Sequence, residues 1–373
     1  MRILHLSTAR TWRGGEQQVA YLVEELHRAE QDQLVVCARS SPMAALCEKQ
    51  GMTHACMPFR MAVDPLNAWR LARKAREWQA DLVHVHDSHG HTAAVLANQF
   101  FGMGLPLVVS RRVDFAISNG FSSRWKYGHP SVKRILCVSR AIAVIMAERL
   151  ARPQVLRVVY DGIDAGRFAK GADGRLRRAL GIGAEVPLVG NVAALAPHKD
   201  LFTFIRMAAR IREHVPAAHF VLIGAGELQA GLERYAADRG MGAALTFTGF
   251  RTDVDRLLPE LDVMAMTSRT EGLGTSILDA FAARVPVVAT AAGGIPEVVE
   301  QGGTGLLCPV GDDAALAAAV EQVLADGALR SRLVEGAGRK LLAFTREAMA
   351  AATLEVYQEV LAEAGGAAKT KSA

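Results

Sequence analysis

At 373 residues and 40.0 kDa the chain can hold two domains of ordinary size, each with its own core. Half of its residues are hydrophobic and 22% are charged, which excludes a disordered chain. The formal charge of +5 permits contact with an anionic substrate or membrane surface without requiring either, and no apolar run approaches the ~18 residues of a membrane span.

Residues 2–7 read as a short buried strand, too brief for a signal peptide. They feed a loop, 8–14, and then a helix over 15–29. Gly14-Gly15 at that junction either makes a tight turn into a packed helix or lets backbone amides approach a diphosphate closely. Arg10 and Arg13 in the same loop are expected to be solvated. Further strands are expected at 33–38, 82–85, 107–110, 134–138 and 155–160, then at 188–192, 219–223, 245–248, 263–266 and 287–290. Helical periodicity falls between them, for example at 66–78, 202–214 and 228–239. This alternation predicts an α/β chain of two doubly wound, Rossmann-like domains that bind ligand in a central cleft. Charge and glycine interrupt the alternation over 161–183, and a new series starts at Pro187, giving domains 1–168 and 169–345. A last helix runs from Arg346 to about Glu363, and the small, basic tail 365–373 is expected to be disordered. Cys37, Cys47, Cys56, Cys137 and Cys308 lack CxxC spacing and read as buried free thiols of a reducing cytoplasm.

His84 and His86 share one face of the strand 82–85 and its end. His86 stands at the C-terminal end, where ligand-facing groups of such sheets sit, and His84 lies deeper as a core histidine. The pair could bind a metal, but no third ligand is positioned by the sequence, so none is expected. His89 and His91 in the turn that follows carry no assignment. Arg111 and Arg112 open a segment, 111–131, rich in arginine and aromatics, with Phe115, Phe121, Arg124, Trp125, Lys126 and Tyr127 around a turn at Asn119-Gly120. Two readings of it stand equal. Its rings and cations suit a lipid headgroup layer, or Phe121 and Trp125 pack down as anchors under a solvated loop.

Pro197-His198-Lys199-Asp200 puts an ammonium just before an apolar helix. A helix N-terminus repels cations, so a lysine there points to an anionic ligand such as a departing diphosphate. Ile223-Gly224-Ala225-Gly226 is a GxG without a third glycine and reads as a tight turn. Asp253-Val254-Asp255 falls at a helix start and reads as structural. The stretch Thr270–Ala280 is the most informative. Glu271 sits in a glycine-rich turn, with the amides of Leu273, Gly274 and Thr275 free to meet an anion. Thr275 is the expected N-cap, and Asp279 follows one turn later on the same face. Two carboxylates beside an anion site suit a ligand with both phosphate and hydroxyl groups, which a nucleotide sugar has.

Several motifs, in order, resemble the retaining GT-B glycosyltransferases of glycosyltransferase family 4 and the glycosyl transferases group 1. They are Gly14-Gly15-Glu16, Val83-His84-Val85-His86, Val138-Ser139, Asp161-Gly162-Ile163-Asp164, Arg167-Phe168 and His198-Lys199. Phe247-Thr248-Gly249-Phe250, Glu271-Gly272-Leu273-Gly274 and Gly294-Ile295-Pro296-Glu297 complete the set. The resemblance implies that Gly14 and Gly15 meet the donor diphosphate, that Lys199 contacts its phosphates, and that Glu271 touches the donor sugar. Leu273, Gly274 and Thr275 would present amides, Asp279 would hold the ribose, and Gly249, Phe250 and Arg251 would lie beside the base. His86 would stand at the reacting centre. It further implies that the last helix crosses back to the N-terminal domain, which would bind the acceptor through residues such as Arg111 and Arg112. Two positions depart from the family pattern. Asp279 replaces the usual Glu, and Ala194 stands where many members carry a phosphate-binding arginine, for which Arg13 could substitute.

The reaction so implied is transfer from a UDP- or GDP-sugar to a saccharide or lipid-linked acceptor, without metal or cofactor and without a protein nucleophile. The protein would be cytoplasmic, with possible reversible contact with the inner face of an anionic membrane and no nucleic-acid partner. A nucleotide-sugar epimerase, a sugar phosphorylase and a non-catalytic sugar-binding module are the competing readings, separable by product analysis and donor turnover.

Overall fold

The computed structural model describes residues 1–371 apart from 60, 62, 116, 118 and 119. The chain forms two compact units, one comprising Met1–Gly162 with Arg346–Ala373 and the other Ile163–Thr345. The expected boundary lay at 168/169; the observed one falls at 162/163.

The first unit is built on a parallel seven-stranded sheet. Its strands are β1 (Arg2–Ser7), β2 (Asp32–Ala38), β3 (His54–Met57), β4 (Leu82–Val85), β5 (Leu107–Arg111), β6 (Val132–Cys137) and β7 (Leu156–Val158). They lie in the order β3-β2-β1-β4-β5-β6-β7, so the direction of winding reverses between β1 and β4. The helix Gly14–Arg28 shows how the sequence writes these elements. Val19, Leu22, Val23 and Leu26 recur at helical spacing and are all buried. Glu16 accepts the backbone N–H of Arg13 at 2.9 Å and closes the first turn.

The last helix, Arg346–Lys371, packs in this unit's core, where Met349, Val356, Tyr357 and Val360 meet Ile3, Leu22, Leu82 and Val108. Each such side chain contributes roughly 1.5–3 kcal/mol when removed from water. Glu359 anchors the helix from outside through Arg134 at 2.6 Å and Arg157 at 2.5 Å. The tail expected to be disordered from Gly365 is helical through Lys371, and residues 372–373 lie outside the described residues. Ala and Lys extend a helix that packing has already nucleated, which the local composition alone does not reveal.

The second unit repeats the design with six parallel strands. They are β8 (Leu188–Val192), β9 (His219–Ile223), β10 (Leu245–Phe247), β11 (Val263–Met266), β12 (Val287–Thr290) and β13 (Leu306–Cys308), ordered β10-β9-β8-β11-β12-β13. Winding reverses here between β8 and β11. The core joins Val189, Phe220 and Val263 of the sheet to Phe204, Leu316, Val320 and Leu333 of its helices. The sequence did not announce β3 or β13. Both are short edge strands with a single paired neighbour, so they are set by pairing rather than by a long β-branched run. All five cysteines are free, four of them buried and Cys56 partly so. Among the described residues no helix is long and apolar enough to cross a membrane.

Candidate active site

In the second unit the reversal between β8 and β11 brings two loops together, the place where open α/β sheets bind ligands. The loop after β8 ends in a short turn, Pro197–Lys199, and the left-handed residue Asp200 (φ 45°). Asp200 is buried and accepts the Thr203 hydroxyl at 2.8 Å and Arg269 Nε at 2.9 Å. From the loop after β11, the Thr267 hydroxyl donates to the carbonyls of Lys199 and Asp200 at 3.0 and 3.1 Å. The Arg269 amide donates to the His198 carbonyl at 2.8 Å. These bonds fix the two loops to each other, and their result is an ion pair between Lys199 Nζ and Glu271 Oε2. Ser268 Oγ donates to the same Oε2 at 3.1 Å. Both side chains are about 15% exposed, so the pair is largely withdrawn from water yet still reachable.

Glu271 is seated from below by a second turn. Its carbonyl accepts the Gly294 N–H at 2.9 Å, and a Cβ on Gly293 (φ +52°) would lie 2.1 Å from that same oxygen. Only glycine permits this approach. Past Glu271 the chain turns through Gly274 (φ 90°) into the helix Thr275–Ala282. Gly274, not Thr275, is therefore the N-cap. The left-handed turn demands glycine at that position, which moves threonine to the first helical residue. The first amides of a helix have no intrahelical partner, so this end still presents N–H groups to an anion. Asp279, one turn on, is partly buried. Its carboxyl is raised to about 6 by burial, with Arg167 opposing the shift and Asp255 adding to it.

The Gly224-Ala225-Gly226 turn serves packing. A Cβ on Gly224 would lie 1.9 Å from the Ala193 carbonyl and one on Gly226 2.4 Å from that of Leu195. Gly224 also donates its N–H to the Gly249 carbonyl at 3.0 Å, which seats the next loop. In that loop Phe250 is 70% exposed, and Arg251 is paired with Asp253 at 2.7 Å. Asp253 precedes the short helix Val254–Leu257 and bonds Arg175 as well, and Asp255 pairs with Arg256 at 3.6 Å, so the Asp-x-Asp is occupied structurally. Ala194 is exposed, with no cation in its place on the chain.

In the first unit, β1 and β4 pair with His5 opposite His84. His84 is buried, its Nδ1 against the Tyr357 hydroxyl at 2.5 Å and its Nε2 against Ser110 Oγ at 2.8 Å. It is the core histidine expected. His86 Nε2 meets His5 Nδ1 at 3.1 Å, leaving His86 Nδ1 and His5 Nε2 without partners. Burial drives all three imidazoles toward the neutral form, His5 down to about 4. Sequence reasoning found no third metal ligand beside His84 and His86, yet the fold supplies His5, with ligand atoms of all three within 4.8 Å of one another. Both nitrogens of His84 and one each of His5 and His86 are already engaged, so the cluster is wired as a hydrogen-bond network.

A cavity of about 440 Å³ opens beside it, lined by His86, Gly15, Arg13, Arg111, Arg112 and Tyr127 among others. Gly14 begins the adjoining helix with open space where a Cβ would stand. Arg10, expected to be solvated, is exposed but donates to the Phe59 carbonyl at 3.1 Å. His91 is buried on the same cavity, edge-on to Tyr127, and His89 is exposed. Of the two anchors expected under a solvated loop after Arg112, one is half-buried and the other exposed. Tyr127 and Ile117 are buried, Trp125 half-buried, and Phe115 and Phe121 exposed, while Lys126 is held by Ser88 Oγ at 2.7 Å. Asn119, at the centre of the expected turn, lies outside the described residues.

Residues 12–167 match Glycosyltransferase Family 4, and residues 173–340 match Glycosyl transferases group 1. Over 60% of its length the chain is 32% identical to the lipopolysaccharide core biosynthesis glycosyltransferase LpsE of Rhizobium meliloti, and the match spans 63% of that protein. It is 26% identical to the N-acetyl-alpha-D-glucosaminyl L-malate synthase of Bacillus anthracis, over 82% of this chain and 80% of that one. In fold it is similar to Anabaena HepE, solved in complex with UDP and glucose, with a TM-score of 0.84 at 21% identity over 96% of this chain and all of the other. Two doubly wound sheets, the Lys199–Glu271 loops and both matches in this order give one conclusion: the chain is a GT-B protein belonging to glycosyltransferase family 4.

Proposed function

We propose that this glycosyltransferase moves a sugar, with retention at the anomeric carbon, from a UDP- or GDP-sugar to an acceptor hydroxyl in the synthesis of a cell-envelope polysaccharide, lipopolysaccharide or glycolipid. The observation that carries this reading is the meeting of Lys199, Glu271 and Ser268 at the winding reversal of the second sheet, next to a helix N-terminus. The UDP and glucose named with HepE support a nucleotide-sugar donor.

In this reading the Lys199 ammonium and the amides of Leu273, Gly274 and Thr275 neutralise the departing diphosphate, with those of Gly14 and Gly15 as further donors. Both contacts to Glu271 fall on Oε2, which leaves Oε1 to accept from the donor sugar. Asp279 accepts from the ribose, and Gly249, Phe250 and Arg251 flank the base. On the first unit, Arg111 and Arg112 bind the acceptor, and His86 faces its hydroxyl with Nδ1 unengaged. With no nucleophile assigned, the acceptor oxygen bonds the anomeric carbon on the face the diphosphate leaves as the bond to that diphosphate breaks, the hydroxyl proton passes to the departing phosphate oxygen, and the protein supplies position and charge. No metal or cofactor enters this scheme.

Reversible contact with an anionic membrane belongs to the same proposal, through Phe115, Phe121 and Arg124, all exposed. Lys126 is spent on Ser88, so Arg124 is the cation to remove. Loss of anionic-vesicle co-sedimentation in Arg124→Ala supports the contact, and equal binding to neutral vesicles refutes it.

The main test is a thermal-shift screen of UDP-, GDP- and ADP-sugars, followed by NMR of the anomeric configuration in the product. A donor at a hundred times its Kd adds about 2.7 kcal/mol to native-state stability. No shift with any nucleotide sugar would refute the donor site. An inverted product would refute retention alone.

A further inference from the structure

The cavity beside His86 is lined by three guanidinium groups, of which only that of Arg112 is ion-paired with a carboxylate among the described residues. Arg13, Arg111 and Arg112 line it, and the carboxylates on its wall are Glu16 and Asp87. Asp87 is committed elsewhere: it accepts the Thr8 N–H at 2.5 Å, the Thr8 hydroxyl at 2.6 Å and the Gly90 N–H at 2.8 Å. Glu16 accepts the Arg13 N–H.

Among the described residues Arg112 has one acidic partner, Asp161, at 3.1 Å through Nε, and its Nη1 is buried without a partner. Arg111 has none among the described residues. It is 8% exposed, its Nη1 faces the Tyr127 hydroxyl at 3.4 Å, its Nη2 donates to the Phe115 carbonyl, and its Nε is unpartnered. The Phe115 ring lies under it at 4.9 Å. Asp114, in the loop that follows, forms no ion pair with it and keeps its Oδ2 unpartnered. Outside the lining, the Lys126 ammonium feels the same charge: burial and then Arg111 lower its pKa, against Asp87, which raises it.

A buried guanidinium facing only neutral groups is a costly arrangement until an anion completes it. Gly15 leaves room for one: a Cβ there would be no nearer than 4.0 Å to Arg112 Cδ. A planar guanidinium grips a phosphate or carboxylate through paired N–H bonds.

We propose that the acceptor is an anionic molecule, its phosphate ester or carboxylate held by Arg111 and Arg112 in this cavity while its hydroxyl faces His86. This rests on the transferase reading above and adds the acceptor's chemical class to it. The donor diphosphate carries the same chemistry, so the test must separate the two sources.

Donor consumption by the full chain is measured with matched acceptor pairs, each a sugar or polyol with and without a phosphate ester or a carboxylate. The wild type should favour the anionic member at least tenfold in kcat/KM. Arg112→Gln should raise KM for that member ten- to a hundredfold, with KM for the donor in place and a smaller rise for the neutral member. Arg111→Lys, which keeps charge but loses the planar fork, should do the same, and it decides the matter if Arg112→Gln, which leaves buried Asp161 unpaired, fails to fold. Equal use of both members overturns the proposal, and so does a rise confined to the donor KM, which would assign the arginines to the diphosphate. Donor consumed with neutral acceptors alone refutes only this inference. No consumption with any acceptor refutes the transferase reading itself.

Discussion

Gly293→Ala tests the site without removing any of its functional groups. The added Cβ would stand 2.1 Å from the Glu271 carbonyl oxygen and 3.0 Å from its nitrogen, where ordinary contact begins near 3.4 Å. Both obstacles are backbone, so no side chain can swing aside, and the Glu271 segment must retreat by about 1 Å. The Gly294–Glu271 bond of 2.9 Å would stretch with it. A displacement of that size at a positioned group costs about 100-fold in rate. Alanine at φ +52° adds roughly 1–2 kcal/mol of backbone strain. Gly302→Ala is the matched control, with φ +69° and nothing within 4 Å of its Cβ, so it carries the strain without the collision. Steady-state kinetics on donor consumption and thermal melts of both variants separate the two effects. Both should melt at lower temperature, and only Gly293→Ala should lose turnover. A folded Gly293→Ala with wild-type kcat and donor KM would show that Glu271 is not where the reaction takes place.

Lys199→Ala and Glu271→Ala should each lower turnover about 10²- to 10³-fold on folded protein, and unchanged rates in both would remove this pair from the site. Tyr357→Phe strips the hydroxyl from His84 Nδ1 in a fully buried position, so the urea midpoint should fall by the equivalent of about 1–3 kcal/mol with kcat held, and an unaltered midpoint would contradict the bond. Asp279 has its carboxyl raised from 3.8 to about 6, so its protonated form favours the fold below pH 4 and that contribution is lost as pH rises through 6. The melting temperature of Asp279→Asn should therefore gain on wild type between pH 4 and 7; parallel curves would refute the shift. Activity should survive excess chelator, and loss restored by magnesium or manganese would overturn the metal-free scheme.

Much of this was written locally. Alternation of apolar runs with helical periods specified eleven strands of the two sheets, because period 2 and period 3.6 are properties of neighbouring residues. Lys199 before a helix and Glu271 in a glycine turn were legible for the same reason, each being electrostatically or conformationally odd in its own segment. The structure alone could bring in His5, Ser268 and the Asp200–Arg269 tie. His5 looks like any strand residue until sheet order sets β1 beside β4 and the register puts it opposite His84. Arg269 and Asp200 are ordinary surface charges until β11 is laid next to β8. The cap at Gly274 and the edge strands β3 and β13 were likewise decided by tertiary fit. A backbone angle of +90° selects glycine over a better capping side chain, and an edge strand is made by the neighbour it pairs with. Pairing across a sheet joins residues far apart in the chain, and no local pattern records which ones.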